Sequence, residues 1–167
     1  MVNQAERDKK IFLLQQNLSS IRKIAGWTTE QLGERIGVSK QTISNLENNK
    51  SPMNFTQYIA IRSVLDCEIE ENRENEILGK VVEILLDRSD ELDENNYKKI
   101  KSGIDTVAAA AYGGIAGAAL TGTFTGLLGP TLGALGIGLL GPAGLVGGAV
   151  AGVASSLWLK NILSKNK

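Results

Sequence analysis

Lys40, Gln41, Ser44 and Asn45 lie within the segment TEQLGERIGVSKQTISNLE, from Thr29 to Glu47. At helical spacing these four share one face. All carry polar groups on short or medium stems, the side-chain type that hydrogen-bonds base edges in a major groove. Catalytic chemistry has far thinner support. The chain has no His, so the commonest general base is missing. Cys67 stands alone, which excludes an intrachain disulfide and any Cys/His metal cluster. No nucleophile–base pair or carboxylate metal set is spaced convincingly. Gly136-Ile137-Gly138 lacks the Lys-Ser/Thr ending of a phosphate loop. The expectation is therefore no enzyme, no metal, no cofactor and no small-molecule substrate.

The polar face needs two short helices to hold it. Leu32, Ile36, Val38, Ile43 and Leu46 supply the inward side of a helix–turn–helix. Gly33 lets the two helices approach, and Gly37 suits a helix end where φ is positive. Thr28 or Thr29 offers an N-cap for a helix through Ile36, and Ser39 an N-cap for one through about Glu47. Upstream, Ile11, Leu14, Leu18, Ile21 and Ile24 recur at helical spacing over 3–25, with Gly26 as terminator. Downstream, 48–52 is a loop by composition, and a fourth helix follows with Phe55, Tyr58, Ile59, Ile61, Val64 and Leu65 apolar. Two more helical stretches are predicted: one over Ile77–Leu86, and one from about Asp93–Asn95 that uses Tyr97, Ile100 and Ile104. No alternating strand pattern of useful length occurs. The predicted fold class is all-α.

From about Leu14 to Leu65 the chain resembles the phage-repressor/Cro-like (XRE) helix-turn-helix family, found in bacteria and phages. The resemblance implies double-stranded DNA as the partner and a second motif helix seated in the major groove. It implies base-reading roles for Lys40, Gln41 and Asn45, a lesser one for Ser44, and phosphate contacts from Asn48 and Lys50. Arg22 and Glu47 fall where family members often form a structural ion pair. The family commonly has Gln where Thr29 stands, so a phosphate contact there has a shorter reach. One such domain makes few contacts, which implies paired half-sites read by a dimer or higher homo-oligomer.

The overall net charge of zero hides three blocks. Residues 1–65 carry nine basic and five acidic residues, 66–105 six and thirteen, and 106–167 three Lys and no acid. A basic front suits an anionic partner; the acidic middle argues against DNA running along the whole molecule. From Thr106 to Leu159 there are 54 consecutive positions without charge, rich in Gly, Ala and Leu. That is enough for two membrane spans of about 20 residues. Gly129-Pro130 is the natural turn, dividing the run into 106–128 and 132–159, with Gly141-Pro142 as the competing break. Lys98, Lys99 and Lys101 precede the run; Trp158, Lys160, Lys165 and Lys167 flank its end. Four-residue glycine spacings recur: Gly113 with Gly117, Gly122 with Gly126, and Gly144, Gly148, Gly152. They would line a close-packing helix face and resemble glycine-zipper segments.

The organisation expected is a helix-turn-helix domain over 1–66, an acidic helical connector over 67–105, an apolar Gly-rich helical hairpin over 106–159 and a basic tail over 160–167. The leading function is a sequence-specific DNA-binding transcriptional regulator. Its DNA-binding domain would sit in the cytoplasm, anchored to or clustered at the inner face of the cytoplasmic membrane by the hairpin. Two alternatives stay open. One is a soluble homo-oligomer whose apolar tails pack together. The other is a membrane-perturbing effector carrying a helix-turn-helix domain.

Overall fold

A computed structural model describes residues 3–114 and 118–135. Seven α-helices follow in chain order: α1 (Gln4–Ile24), α2 (Thr29–Ile36), α3 (Lys40–Glu47), α4 (Phe55–Glu71), α5 (Glu76–Val82), α6 (Glu94–Tyr112) and α7 (Ala118–Ala134). A π-helical turn (Glu83–Asp87) and a 3-10 turn (Ser89–Glu91) connect α5 to α6. No strand occurs among the described residues, and the fold is all-α.

Local chemistry sets most of the boundaries. Side chains of Asn3, Thr28, Ser39, Asn54, Asn75 and Asp93 each accept a backbone N–H at the start of a helix, satisfying donors that the first turn leaves open. Thr28 with Gln31, and Asn54 with Gln57, close reciprocal capping boxes. Gly37 ends α2 at φ +73°, a left-handed conformation that costs a Cβ-bearing residue more.

The centre of the molecule is α1. It packs on α3 and α4 and also on α5, the π-helical turn and α6. One continuous apolar core results, from Leu14, Leu18 and Ile21 through Ile43, Leu46 and Ile61 to Leu78, Ile84, Ile100 and Phe124. Polar links cross the same seams. Asn17 Nδ2 donates to Tyr97 Oη at 2.9 Å, tying α1 to α6. Asn75 Nδ2 donates to the Ile24 carbonyl at 2.7 Å. Arg62, 3 % exposed, pairs with Asp66 at 3.3 Å and with Asp87 at 2.7 Å, joining α4 to the π-helical turn. Beside this network burial pushes the Tyr58 hydroxyl up to about 12.

The uncharged run departs from the expected division. A helix over 106–128 turning at Gly129-Pro130 is not what forms. Instead α6 carries seven uncharged residues of the run and stops at Tyr112. The chain then turns at Gly113-Gly114, where Gly114 takes φ +91°. Helix α7 passes straight through Gly129-Pro130. Pro130 has no N–H for the Gly126 carbonyl, but both residues are exposed, so water can serve that carbonyl. Leu120, Phe124, Leu128 and Leu132 recur at four-residue spacing on α7 and are buried, which fixes its inner face against α6 and α5. Gly103 makes room for Leu128 at this crossing, since a Cβ there would overlap the leucine side chain.

The hairpin therefore exists as α6–α7, one element earlier than expected. Among the described residues no helix is long and apolar enough to cross a membrane. The span predicted over 132–159 lies outside the described residues beyond Leu135, as do Gly117, Gly144, Gly148 and Gly152. Gly113 sits in the turn after α6, while Gly122 and Gly126 lie on α7 with open space above them.

Candidate nucleic-acid interface

The helix–turn–helix is locked from inside. Leu32, Ile43 and Leu46 are at most 1 % exposed, and Ile36 and Val38 pack against them from the rim. A Cβ on Gly33 would stand 2.7 Å from the Val38 carbonyl oxygen, so the turn is tight because position 33 lacks one. The Val38 amide donates to the Gly33 carbonyl at 2.9 Å across this turn. Ser39 Oγ then accepts from the Thr42 amide at 3.1 Å and starts α3.

With Ile43 and Leu46 turned inward, the opposite face of α3 is polar. Lys40 and Gln41 are exposed, and Ser44 and Asn45 are half-buried. Gln41 Nε2 donates to Asn45 Oδ1 at 2.9 Å, so the two amides meet one helical turn apart and leave donors and acceptors facing outward. After α3, Asn48 is exposed and its Nδ2 donates back to the Ser44 carbonyl at 2.8 Å. Asn49 takes the left-handed conformation at φ 54°, and the Lys50 amide donates to the Asn45 carbonyl at 2.8 Å. Lys50 is exposed. Thr29 opens α2 and lines a surface cleft together with Lys40.

Arg22 and Glu47 form the buried electrostatic joint of the site. Arg22 Nε donates to Glu47 Oε1 at 2.5 Å and its Nη2 to Oε2 at 3.1 Å. Arg22 Nη1 also donates to the Trp27 carbonyl at 2.6 Å. The side chains are only 5 % and 9 % exposed. The pair ties the end of α1 to the end of α3, setting the pitch of the polar face.

Sequence reading alone did not find several supports. Gln15 donates to the carbonyls of Leu46 and Ser51 and accepts from the Met53 amide, holding the loop after α3 onto α1. Gln16 Nε2 donates to Asn49 Oδ1 at 3.1 Å. Arg35 stacks its guanidinium 4.5 Å from the Trp27 ring centroid. Lys23 and Tyr112 line the same cleft as Thr29 and Lys40. No periodicity signals a glutamine reaching a loop more than thirty residues away, and Tyr112 gives no hint of its neighbours beyond being the last aromatic before Gly113-Gly114. Among the described residues no group of His, Cys, Asp or Glu is placed to hold a metal ion.

Residues 18–72 match the helix-turn-helix family. Over 49 residues the chain is 35 % identical to Antitoxin HipB of Escherichia coli strain K12, covering 29 % of this chain and 56 % of that one. The same identity and length relate it to Antitoxin HipB of Escherichia coli O6:H1, strain CFT073, with 52 % of that protein covered. The chain thus matches about half the length of these curated relatives. No solved structure gives a significant match. The similarity is thus confined to residues 18–72 and is of the helix-turn-helix kind.

Proposed function

We propose that the protein is a non-enzymatic transcriptional regulator that reads double-stranded DNA with α3. The observation that carries this reading is the polar face of α3, fixed in pitch by the Arg22–Glu47 joint. Lys40, Gln41 and Asn45 reach base edges from that face, with Ser44 making a lesser contact. Thr29 on one side and Asn48 and Lys50 on the other hold phosphates and set the register. A helix of this length contacts only a few base pairs, so the regulator acts as a dimer on paired half-sites. The relatives' antitoxin role is not carried over, because the match is confined to the reader.

The uncharged run serves first as protein core. Phe124 and Leu132 are fully buried and Leu128 is 2 % exposed, which favours protein over lipid as the surroundings of α7. A membrane tether has no support among the described residues. Self-association is the role we assign to the rest of the run, bringing two readers together with the avidity that linked sites provide.

The test is selection of bound duplexes from a random-sequence pool by the full-length protein. An enriched motif with two half-sites, and a two-to-one protein-to-duplex stoichiometry, is the expected outcome. A pool that stays random through repeated rounds would refute sequence-specific reading.

A further inference from the structure

The cleft beside α3 has an unexpected wall. It is lined by the end of α1, the start of α2, Lys40 of α3 and Tyr112, the last residue of α6. Tyr112 lies more than seventy positions along the chain from Lys40 and outside the helix-turn-helix match. It is 69 % exposed, an unusual position for a large aromatic. Its hydroxyl has no hydrogen-bond partner among the described residues. Lys23 Nζ rests 5.6 Å from the Tyr112 ring centroid, within cation–π range. Lys23 forms no ion pair among the described residues, whereas its neighbour Arg22 is consumed by Glu47 and Trp27.

These groups share one chemistry. The Lys23 ammonium, the Tyr112 hydroxyl, the Thr29 hydroxyl and the Thr29 and Glu30 amides, which the Thr28 cap leaves open, can all donate. Donors of different kinds, drawn from three helices that line one cleft, suit a phosphodiester oxygen better than a base edge, which mixes donors and acceptors. Position supports the same choice. On the reading of α3 as the recognition helix, Thr29 holds a phosphate at the start of α2, and Thr29 lines this same cleft. Glu30 also lines the cleft; its negative charge makes entry of a phosphate depend on the cations opposite.

We propose that Lys23 and Tyr112 form a second DNA-backbone clamp, so that the end of α6 is part of the DNA interface. The ligand is a phosphodiester of the strand flanking the half-site. The tyrosine ring holds the ammonium in place, and its hydroxyl donates to the phosphate. The clamp rests on the reading of α3 as the recognition helix, and it adds affinity without adding sequence information.

The test compares the full-length protein with Lys23→Gln, Tyr112→Phe and Gln41→Ala. Binding to a selected duplex and to a scrambled duplex of equal length is followed by fluorescence anisotropy over a salt series. Lys23→Gln should weaken binding to both duplexes by roughly five- to tenfold near 0.1 M salt and lower the log–log salt slope by about 1. Tyr112→Phe should weaken both by roughly two- to tenfold with the slope unchanged, as loss of one hydrogen bond implies. Neither should alter the ratio between the duplexes. Gln41→Ala should collapse that ratio and leave the slope alone. A wild-type slope and affinity for both Lys23→Gln and Tyr112→Phe would overturn the clamp while leaving the reading of α3 intact. Absence of binding by the unmutated protein would overturn both. A purely structural Lys23–Tyr112 contact would shift the melting temperature and not the salt slope, and that result also overturns the proposal.

Discussion

Replacing Glu47 by Gln tests the electrostatic joint behind the polar face of α3. The substitution keeps the side-chain volume and removes the charge. Arg22, 5 % exposed, then faces a neutral amide. It keeps its bond to the Trp27 carbonyl, but one of its two bonds to residue 47 must become donor against donor. Leaving a buried charge without its counter-ion costs about 3–5 kcal/mol, and the retained carbonyl bond places this case near 3. For a chain of this size each kcal/mol moves the melting temperature by about 2–4 °C, so the expected drop is about 6–12 °C. The double variant Arg22→Met with Glu47→Leu removes both charges and refills the volume. It should regain at least half the loss, because an apolar pair avoids desolvating two ions; the Trp27 carbonyl, left without its donor, limits recovery by about 1 kcal/mol. Thermal and urea unfolding of wild type, Glu47→Gln and the double variant measures these differences. A loss under about 1 kcal/mol for Glu47→Gln, or a double variant less stable than the single one, would refute the argument that burial makes this pair strong.

Gln41→Ala and Asn45→Ala should each weaken binding to a selected duplex by about 1–3 kcal/mol with little change on a scrambled one; unchanged discrimination in titrations of both would remove these side chains from the recognition surface. The Asn96 amide donates to the Asp93 carboxylate at 2.9 Å and holds it below the ordinary carboxylate value. Such a group stabilises the fold above about pH 4 and loses that contribution as pH falls through the depressed value. Asp93→Asn retains a capping side chain that does not titrate, so its melting temperature should lie below wild type near neutral pH, and the gap should close as pH falls through the depressed value; a gap that stays constant down the acid series counts against the cap. Phe124→Ala in α7 should destabilise the reader itself by about 3–5 kcal/mol, followed through Trp27 fluorescence in a Trp158→Phe background. An unchanged Trp27 transition would mean that α7 and the reader do not share a core.

The first four helices were legible because their signals are local. Thr28, Ser39 and Gly37 act on amides and carbonyls within three or four positions, and Leu32, Ile43 and Leu46 carry the burial pattern in their own spacing. The same holds for the start of α6, where Asp93 precedes the periodic Tyr97, Ile100 and Ile104. The end of that helix was not legible. Gly113-Gly114 and Gly129-Pro130 are both turn dipeptides, and the stronger local breaker lost. The seat of Phe124 and Leu128 against α5 and α6 decides the matter, and no window of sequence contains that partner surface. Lys23 with Tyr112 and Asn17 with Tyr97 are likewise contacts across eighty or more positions. The polar face of α3 could be written down from spacing alone; the helix end that borders it could not.

Because α1 presents one side to α3 and another to α6, the segment recognisable by similarity is smaller than the one that closes the structure. The helix-turn-helix match begins at residue 18, part-way along α1, and omits Leu13, Leu14 and Asn17 from the buried seam. A graft of residues 18–72 onto another protein would carry the reading surface but leave Ile21, Leu65 and their neighbours without part of their covering. The host would have to supply a substitute helix. The reader is in this sense not a cassette: substitutions in α6 or α7, far from any base, are constrained by what α1 must offer to α3.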